Sequence, residues 1–207
     1  MASNGPSPVD ALVGDDMNTM ETGEGMGRVL VLGSGGAGKT VLARQLSSVL
    51  AIPVVHLDAL YYDADWTPRD PEEFAEAQRQ ALVPAKVIID GNYATSLPLR
   101  LAATDTVFLL DLPARTCLAG ILRRRWRYHG GQHADGVFDR LSVGFIRYVI
   151  DYRRRSLPRV LDLIAHHAPT AQVFRLASRR EVARFLQGLG RSPKGIPDRL
   201  EVEDSAQ

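Results

Sequence analysis

The run Gly33-Ser34-Gly35-Gly36-Ala37-Gly38-Lys39-Thr40 constrains this chain more than any other feature, because it fills every fixed position of the phosphate-binding loop pattern G-x-x-x-x-G-K-[ST]. The apolar run Val29-Leu30-Val31-Leu32 precedes it, and the helical spacing of Val41, Leu42, Gln45, Leu46, Val49 and Leu50 follows it. That is the strand-loop-helix context in which such a loop works. Its glycines let successive backbone N–H groups turn inward, the new helix points its positive end at the same spot, and Lys39 adds a charge for the outer phosphates. Thr40 supplies a hydroxyl for Mg²⁺. Gly33, Ser34, Gly35, Gly36, Ala37, Gly38, Lys39, Thr40 and Val41 are therefore expected to hold ATP with its Mg²⁺.

A chain of 207 residues, 45% hydrophobic and 24% charged, suffices for one well-buried domain and not for two. No apolar run approaches membrane-spanning length. The N-terminus lacks the basic-then-apolar order of a signal peptide, and the single cysteine, Cys117, cannot form an internal disulfide, so a cytoplasmic setting is expected. Cys117 sits among Leu118, Ile121 and Leu122 and is read as a small buried residue without chemistry. Residues 1–27 carry five acidic and no basic side chains and residues 191–207 four acidic and three basic, so the net charge of +1 leaves +7 on the segment between. Both ends are poor in periodic apolar positions. The expected organisation is an acidic disordered tail over 1–27, one domain over 28–190, and a flexible tail over 191–207.

Within that domain, short apolar runs alternate with helical patterns, which argues for an α/β fold in three layers, a parallel sheet covered on both faces. Val29 to Leu32, Val54 to Leu57, Val87 to Ile89, Val107 to Leu110 and Val173 to Leu176 make five strands. Asp70-Pro71-Glu72-Glu73 marks a helix start, and Ser178 with Glu181 marks the last one, which stops near Gly188 and Gly190. The stretch from Arg115 to His167 reads as two or three helices interrupted at His129-Gly130-Gly131, a candidate hinge.

Ligands of such sheets bind beyond the carboxyl ends of the strands. Asp90 closes the third strand, where a carboxylate can organise Mg²⁺ beside Thr40; Asp111 closes the fourth and competes for that role, or serves as a helix-entry residue. Asp58 follows the second strand and is the candidate to orient an acceptor hydroxyl. Tyr61, Tyr62 and Trp66 make either an aromatic wall for a ring-shaped acceptor or ordinary packing, and Arg69, Asn92, Arg100 and Arg155 complete the candidate acceptor-binding set. Arg123, Arg124, Arg125 and Arg127 lie in one helical stretch, with Arg153, Arg154 and Arg155 further on. Arg124 and Arg127 share a face at a spacing of three and are the pair expected to neutralise a moving phosphoryl group. A nucleic-acid groove is the rival use of these charges, but no stacking-aromatic signature accompanies them.

The loop Gly33 to Thr40, Asp58 within His56-Leu57-Asp58-Ala59-Leu60, Ile88-Ile89-Asp90-Gly91-Asn92-Tyr93, Leu109-Leu110-Asp111-Leu112-Pro113 and the arginines after it together resemble the adenylate-kinase-like small phosphate-loop proteins often labelled topology modulation proteins. The resemblance covers about Arg28 to Leu189. It implies a P-loop NTPase with a nucleoside-monophosphate-kinase-like fold, a five-stranded parallel sheet and an arginine-rich helical lid over about 115–156, and it sets Ser178 and Arg179 beside the adenine. The family label reflects an effect on DNA supercoiling rather than a reaction. Adenylate kinases place one arginine three residues after the second-strand aspartate and another three after the glycine of their Asp-Gly pair, both gripping the acceptor's phosphate. Here those positions hold Tyr61 and Ala94, although Arg69 and Arg100 could substitute; the first lid arginine is replaced by Gly120, and Arg124 matches the next. The expectation is a Mg²⁺- and ATP-dependent kinase acting on a hydroxyl of a nucleoside, nucleotide or sugar-bearing metabolite. The alternatives are a nucleoside monophosphate kinase and a nucleotide-binding regulator of DNA topology.

Overall fold

The structure, a computed structural model, describes residues 25–63, 65, 67–128 and 142–190, without the side chains of 127 and 128. The apolar runs form β1 (Arg28–Gly33), β2 (Val54–His56), β3 (Val87–Asp90), β4 (Thr106–Leu110) and β5 (Gln172–Leu176). All four pairings are parallel, in the order β2-β3-β1-β4-β5. Every strand therefore delivers its carboxyl end to the same edge. His56 lies beside Asp90, Asp90 beside Val31 and Leu110 beside Gly33, so the ends of four strands are gathered around the opening of the phosphate loop.

The strands alternate strictly between two cores, as period-2 geometry demands of a sheet buried on both faces. Val29, Val31, Ile88, Phe108, Leu110, Phe174 and Leu176 face one core with α1 (Lys39–Leu50), α5 (Ala114–Tyr128) and α7 (Arg179–Leu189). Leu30, Leu32, Val87, Ile89, Val107, Leu109 and Val173 face the other, with α2 (Leu57–Tyr61), α3 (Pro71–Ala81), α4 (Leu97–Leu101) and most of α6 (Val143–His167). The expected helix starts are found. Asp70 Oδ1 accepts from Glu72 N at 2.8 Å ahead of Pro71, and Ser178 Oγ accepts from Glu181 N at 3.2 Å while Glu181 reaches back to accept from the Ser178 hydroxyl and Ala177 N, each at 2.8 Å. Cys117 is buried in the first core, as its neighbours imply.

The structure departs from the sequence reading at the second strand, which ends at His56 instead of Leu57. Leu57 is fully buried beneath Gly91, so the chain turns into α2 one residue early and Asp58 rides on its first turn, where an acidic side chain favours the helix dipole. Among the described residues of the stretch from Arg115 to His167 there are two long helices, α5 and α6. The hinge expected at His129-Gly130-Gly131 lies outside the described residues, as do residues 1–24 and 191–207.

Asp111 is the other correction. It is 1% exposed, and its carboxylate is taken by two arginines. Arg153 of α6 donates from Nε to Oδ1 at 2.7 Å, and Arg175 of β5 donates from Nη2 to Oδ2 at 2.8 Å. With Asp111 N bonded to the Leu176 carbonyl, this residue locks α6 to the β4–β5 edge and is spent as an anchor rather than left open to a cation. Because both arginines are partly exposed and can regain water, Asp111→Asn should cost about 2–3 kcal/mol, at the low end for breaking a buried charge pair. Arg153→Ala should cost less, since Arg175 still holds the carboxylate. Chemical denaturation of the two variants checks this ranking.

Candidate active site

The phosphate loop opens at the carboxyl end of β1 and closes at α1 with Gly38 in the left-handed region, at φ 99°. Neither a side-chain cap nor an acidic residue occupies the first turn of α1. Its leading N–H groups are thus aimed at the loop without an internal competitor, which is what an anion-binding helix start requires. Lys39 Nζ reaches back to the Ser34 carbonyl at 3.1 Å, bracing the loop from within. Val41 lies on the exposed side of the same turn.

Two helices distant in sequence press on this loop. A methyl group at Gly36, whose φ is 75°, would lie 2.2 Å from the Cys117 carbonyl, and one at Gly120 would lie 2.4 Å from the Gly36 carbonyl. Backbone meets backbone between α5 and the loop, and only glycine permits that approach. On the other side the Phe145 ring of α6 covers Gly35, fixed by the Ser142 cap that accepts from Phe145 N at 3.1 Å. The Arg179 guanidinium lies against both Gly120 and Gly38, with Nη2 3.1 Å and Nη1 4.0 Å from where their Cβ atoms would stand. Ser178 beside it is occupied as the cap of α7.

Asp90 sits at the end of β3, 6% exposed. Thr40 Oγ1 donates to its Oδ2 at 2.6 Å, and the His56 ring nitrogen Nδ1 donates to the same oxygen at 3.1 Å. Burial opposes ionisation most strongly here, yet the His56 hydrogen bond, the Lys39 charge and the Thr40 hydroxyl together hold the carboxyl below the ordinary aspartate range. Asp90 Oδ1 is buried with no hydrogen-bond partner among the described residues. A hydroxyl, an ionised carboxylate and an unanswered carboxylate oxygen, all hard donors, suit Mg²⁺ or its water shell. His56 was not singled out from sequence; the only trace of it there is its place one residue ahead of Leu57-Asp58.

On the outer side of β3, Asp58 Oδ1 accepts from the Tyr93 hydroxyl at 2.7 Å. Burial first, and then the Asp58 charge, push the Tyr93 phenol far above its usual value, so it remains a donor throughout the physiological range. Tyr61 packs with ring centroids 4.9 Å from Tyr62, 5.0 Å from Phe74 and 4.8 Å from Tyr93, an aromatic cluster beside Asp58. Arg69 is exposed, and its backbone N–H bonds to the Tyr61 carbonyl at 2.8 Å. Trp66 and the side chain of Arg127 lie outside the described residues.

Three expected acceptor contacts are engaged elsewhere. Asn92 clamps Gly33, accepting from its N–H at 3.0 Å and donating to its carbonyl at 2.6 Å. Arg100 is fully buried and donates to Gln78 Oε1, Ser96 Oγ and the Asn92 carbonyl. Arg155 is exposed and pairs with Asp151, one turn back on α6, while its neighbour Arg153 turns inward to Asp111. Arg124 stays half-buried on α5.

No protein-family profile matches the chain, and no curated protein does. Among solved structures it is similar to shikimate kinase from Bacteroides thetaiotaomicron, 19% identical over 78% of this chain and 95% of that one, with a TM-score of 0.45. It is similar too to shikimate kinase from Acinetobacter baumannii in complex with shikimate, 15% identical over 83% and 93%, with a TM-score of 0.48. A gluconokinase from Sinorhizobium meliloti is 12% identical over 81% and 93%, with a TM-score of 0.40. No described helix is long and apolar enough to cross a membrane.

Two outcomes test this geometry. Gly120→Ala should force α5 off the loop, weakening MgADP about tenfold or more and costing about 1–3 kcal/mol of stability. Gly188→Ala, with nothing within 4 Å of the new methyl, should instead stabilise by about 0.5–1 kcal/mol. Calorimetric titration and denaturation separate the two. Because the pKa of Asp90 is depressed in the fold, its contribution to metal-free stability is complete above the unfolded aspartate value near 4 and disappears as pH falls through the depressed value. Denaturant unfolding from pH 6 to about 2.5 should show that loss in the native protein and a flatter profile in Asp90→Asn.

Proposed function

We propose that this protein is a Mg²⁺- and ATP-dependent kinase that transfers the γ-phosphoryl group to a hydroxyl of a small acceptor, a nucleoside or a related sugar-bearing metabolite. The observation that carries this reading is the row of adjacent strand ends: a phosphate loop on β1, a hydroxyl-bonded carboxylate with an unanswered oxygen on β3, and a second carboxylate, Asp58, just past β2. A carboxylate in the third place can orient an attacking oxygen, of water or of an acceptor hydroxyl. The third, held beyond the metal position and walled by tyrosines, suits a second substrate.

In this reading Lys39 and the loop N–H groups bind the phosphates, and Arg179 lies along the nucleotide between the loop and α5. Thr40 and Asp90 would hold Mg²⁺, which supplies charge neutralisation at the transferring phosphoryl group. Asp58 accepts a hydrogen bond from the acceptor hydroxyl and takes its proton as the oxygen bonds to phosphorus and the bond from phosphorus to the ADP oxygen breaks. Arg124, joined by Arg127 from the same helix, balances charge on the moving group. Arg100, one of two arginines that could replace the missing phosphate clamps, is buried with both terminal nitrogens engaged, which favours an acceptor without a phosphate over a nucleoside monophosphate.

ADP production should be measured with MgATP and a panel of nucleosides, nucleoside monophosphates and sugar-linked metabolites, products being identified by mass. Stimulation by a phosphate-free member is the expected result. Lys39→Ala should lower kcat by about 10²–10³, and Asp58→Asn should abolish transfer while leaving MgADP binding intact. No stimulation by any member, together with DNA affinity that persists at physiological salt and changes with bound nucleotide, would replace the kinase by a nucleotide-binding regulator, the reading favoured by the basic 28–190 segment.

A further inference from the structure

The turn Asp90-Gly91-Asn92-Tyr93 sends consecutive side chains in opposite directions. The Asn92 amide makes two hydrogen bonds to the backbone of Gly33, where the phosphate loop begins, and the Tyr93 hydroxyl makes one to Asp58, on the acceptor side. The backbone needed for this is unusual. Gly91 has φ 142°, with Leu57 packed so closely that a Cβ there would lie 2.8 Å from the leucine's own, and Tyr93 has φ 37°, a left-handed conformation that L side chains rarely adopt. Such a conformation persists only where its surroundings over-determine it.

What over-determines it is Arg100. Its guanidinium Nη2 donates to the carbonyls of both Asn92 and Tyr93, while Nη1 is held by Gln78 Oε1 and Ser96 Oγ. Gln78 is itself buried and anchored to the Phe74 carbonyl at 3.0 Å, which ties the arrangement to α3. Burial pushes the guanidinium down to about 9, still charged at neutral pH. A buried cation directed at two main-chain carbonyls of one turn is an expensive way to secure a loop, and it suits a loop whose geometry matters to the chemistry on both sides.

We propose that Asn92, Tyr93 and Arg100 form one positioning device that sets the acceptor carboxylate Asp58 in register with the phosphate loop. It rests on the kinase reading above, in which Asp58 orients the attacking oxygen. Asn92 serves the nucleotide side, Tyr93 the acceptor side, and Arg100 holds the two at a constant offset. None of the three needs to touch a reacting atom. An error of an ångström between loop and carboxylate is enough to misalign an in-line displacement.

The test uses the full chain with MgATP, water standing in for the acceptor hydroxyl, and follows slow ATP hydrolysis together with MgADP affinity. Tyr93→Phe should lower the hydrolysis rate about tenfold or more with KM for MgATP and MgADP affinity unchanged. In an Asp58→Asn background the same substitution should cost nothing further, because its effect passes through that carboxylate. Asn92→Ala should do the reverse, weakening MgADP several-fold. Arg100→Lys should disturb both readouts; should that variant fail to fold, the Tyr93 and Asn92 variants carry the test alone. A wild-type rate for Tyr93→Phe, losses that multiply with Asp58→Asn, or unchanged MgADP affinity in Asn92→Ala overturns the device. A slow Asp58→Asn beside a normal Tyr93→Phe removes only the positioning role. A wild-type rate for Asp58→Asn removes Asp58 from the chemistry and this proposal with it.

Discussion

A carboxylate buried at the end of a parallel strand must have its charge answered, and the protein meets that demand in two opposite ways on either side of β1. Asp111, just past β4, is saturated by the guanidinium groups of Arg153 and Arg175. Among the described residues, Asp90 on β3 receives a hydroxyl and an imidazole on one oxygen and no partner on the other. Both are buried aspartates at a strand's carboxyl end, Asp90 as the last residue of β3 and Asp111 as the first past β4, and their partners differ. The first aspartate becomes a fastener between α6 and the sheet, and the second stays available to a cation brought in with the phosphates. Everything at the carboxyl edge of the sheet is arranged around that difference.

The distinction could not be read from the chain, and the reason is distance. Features set by neighbours were legible: five apolar strands, the Asp70-Pro71 and Ser178-Glu181 helix starts, the loop itself, and Cys117 as a core residue. Asp111 takes its partners from 42 and 64 residues away, on elements whose arginines look in the sequence like ordinary charged runs. Arg100 reads as a surface cation near an acceptor site until α3 and α4 are folded over it, when it becomes a buried support. Asn92 follows an Asp-Gly pair that invites a substrate contact, yet its amide matches the backbone of Gly33. His56 carries no local signal at all, because it acquires a role only when β2 is laid beside β3 in register with Asp90.

The nucleotide side is equally non-local. The loop supplies its own glycines and lysine, but its outer walls are Cys117, Gly120 and Ile121 of α5 and Phe145 of α6, roughly eighty to a hundred and ten residues later. The backbone contact between Gly36 and Gly120 leaves no room for a side chain on either surface. Helix and loop are therefore one packed unit, and any motion of α5 is transmitted to the loop directly. The glycine that replaces an arginine in the resemblance to adenylate kinases is thus better understood as a packing residue than as a lost contact. The Arg179 guanidinium lies against that same glycine, so a cation still stands at this place.

The acceptor side then has a charge balance of its own. Asp58 is bonded to Tyr93, whose ring packs on Tyr61 and through it on Tyr62, and the arginine that α4 contributes nearby is withdrawn into the interior to hold main-chain carbonyls. An anionic acceptor approaching such a surface would meet a carboxylate in a partly desolvated setting, where like charges repel more strongly than in water. A neutral polyol or ring bearing a hydroxyl meets no such opposition. It can donate its hydroxyl proton toward the carboxylate while the tyrosine rings cover its apolar face. The withdrawal of Arg100 therefore does two things at once: it ties down the turn between the two carboxylates, and it takes one of the two candidate phosphate-clamping arginines into the interior, leaving Arg69 exposed.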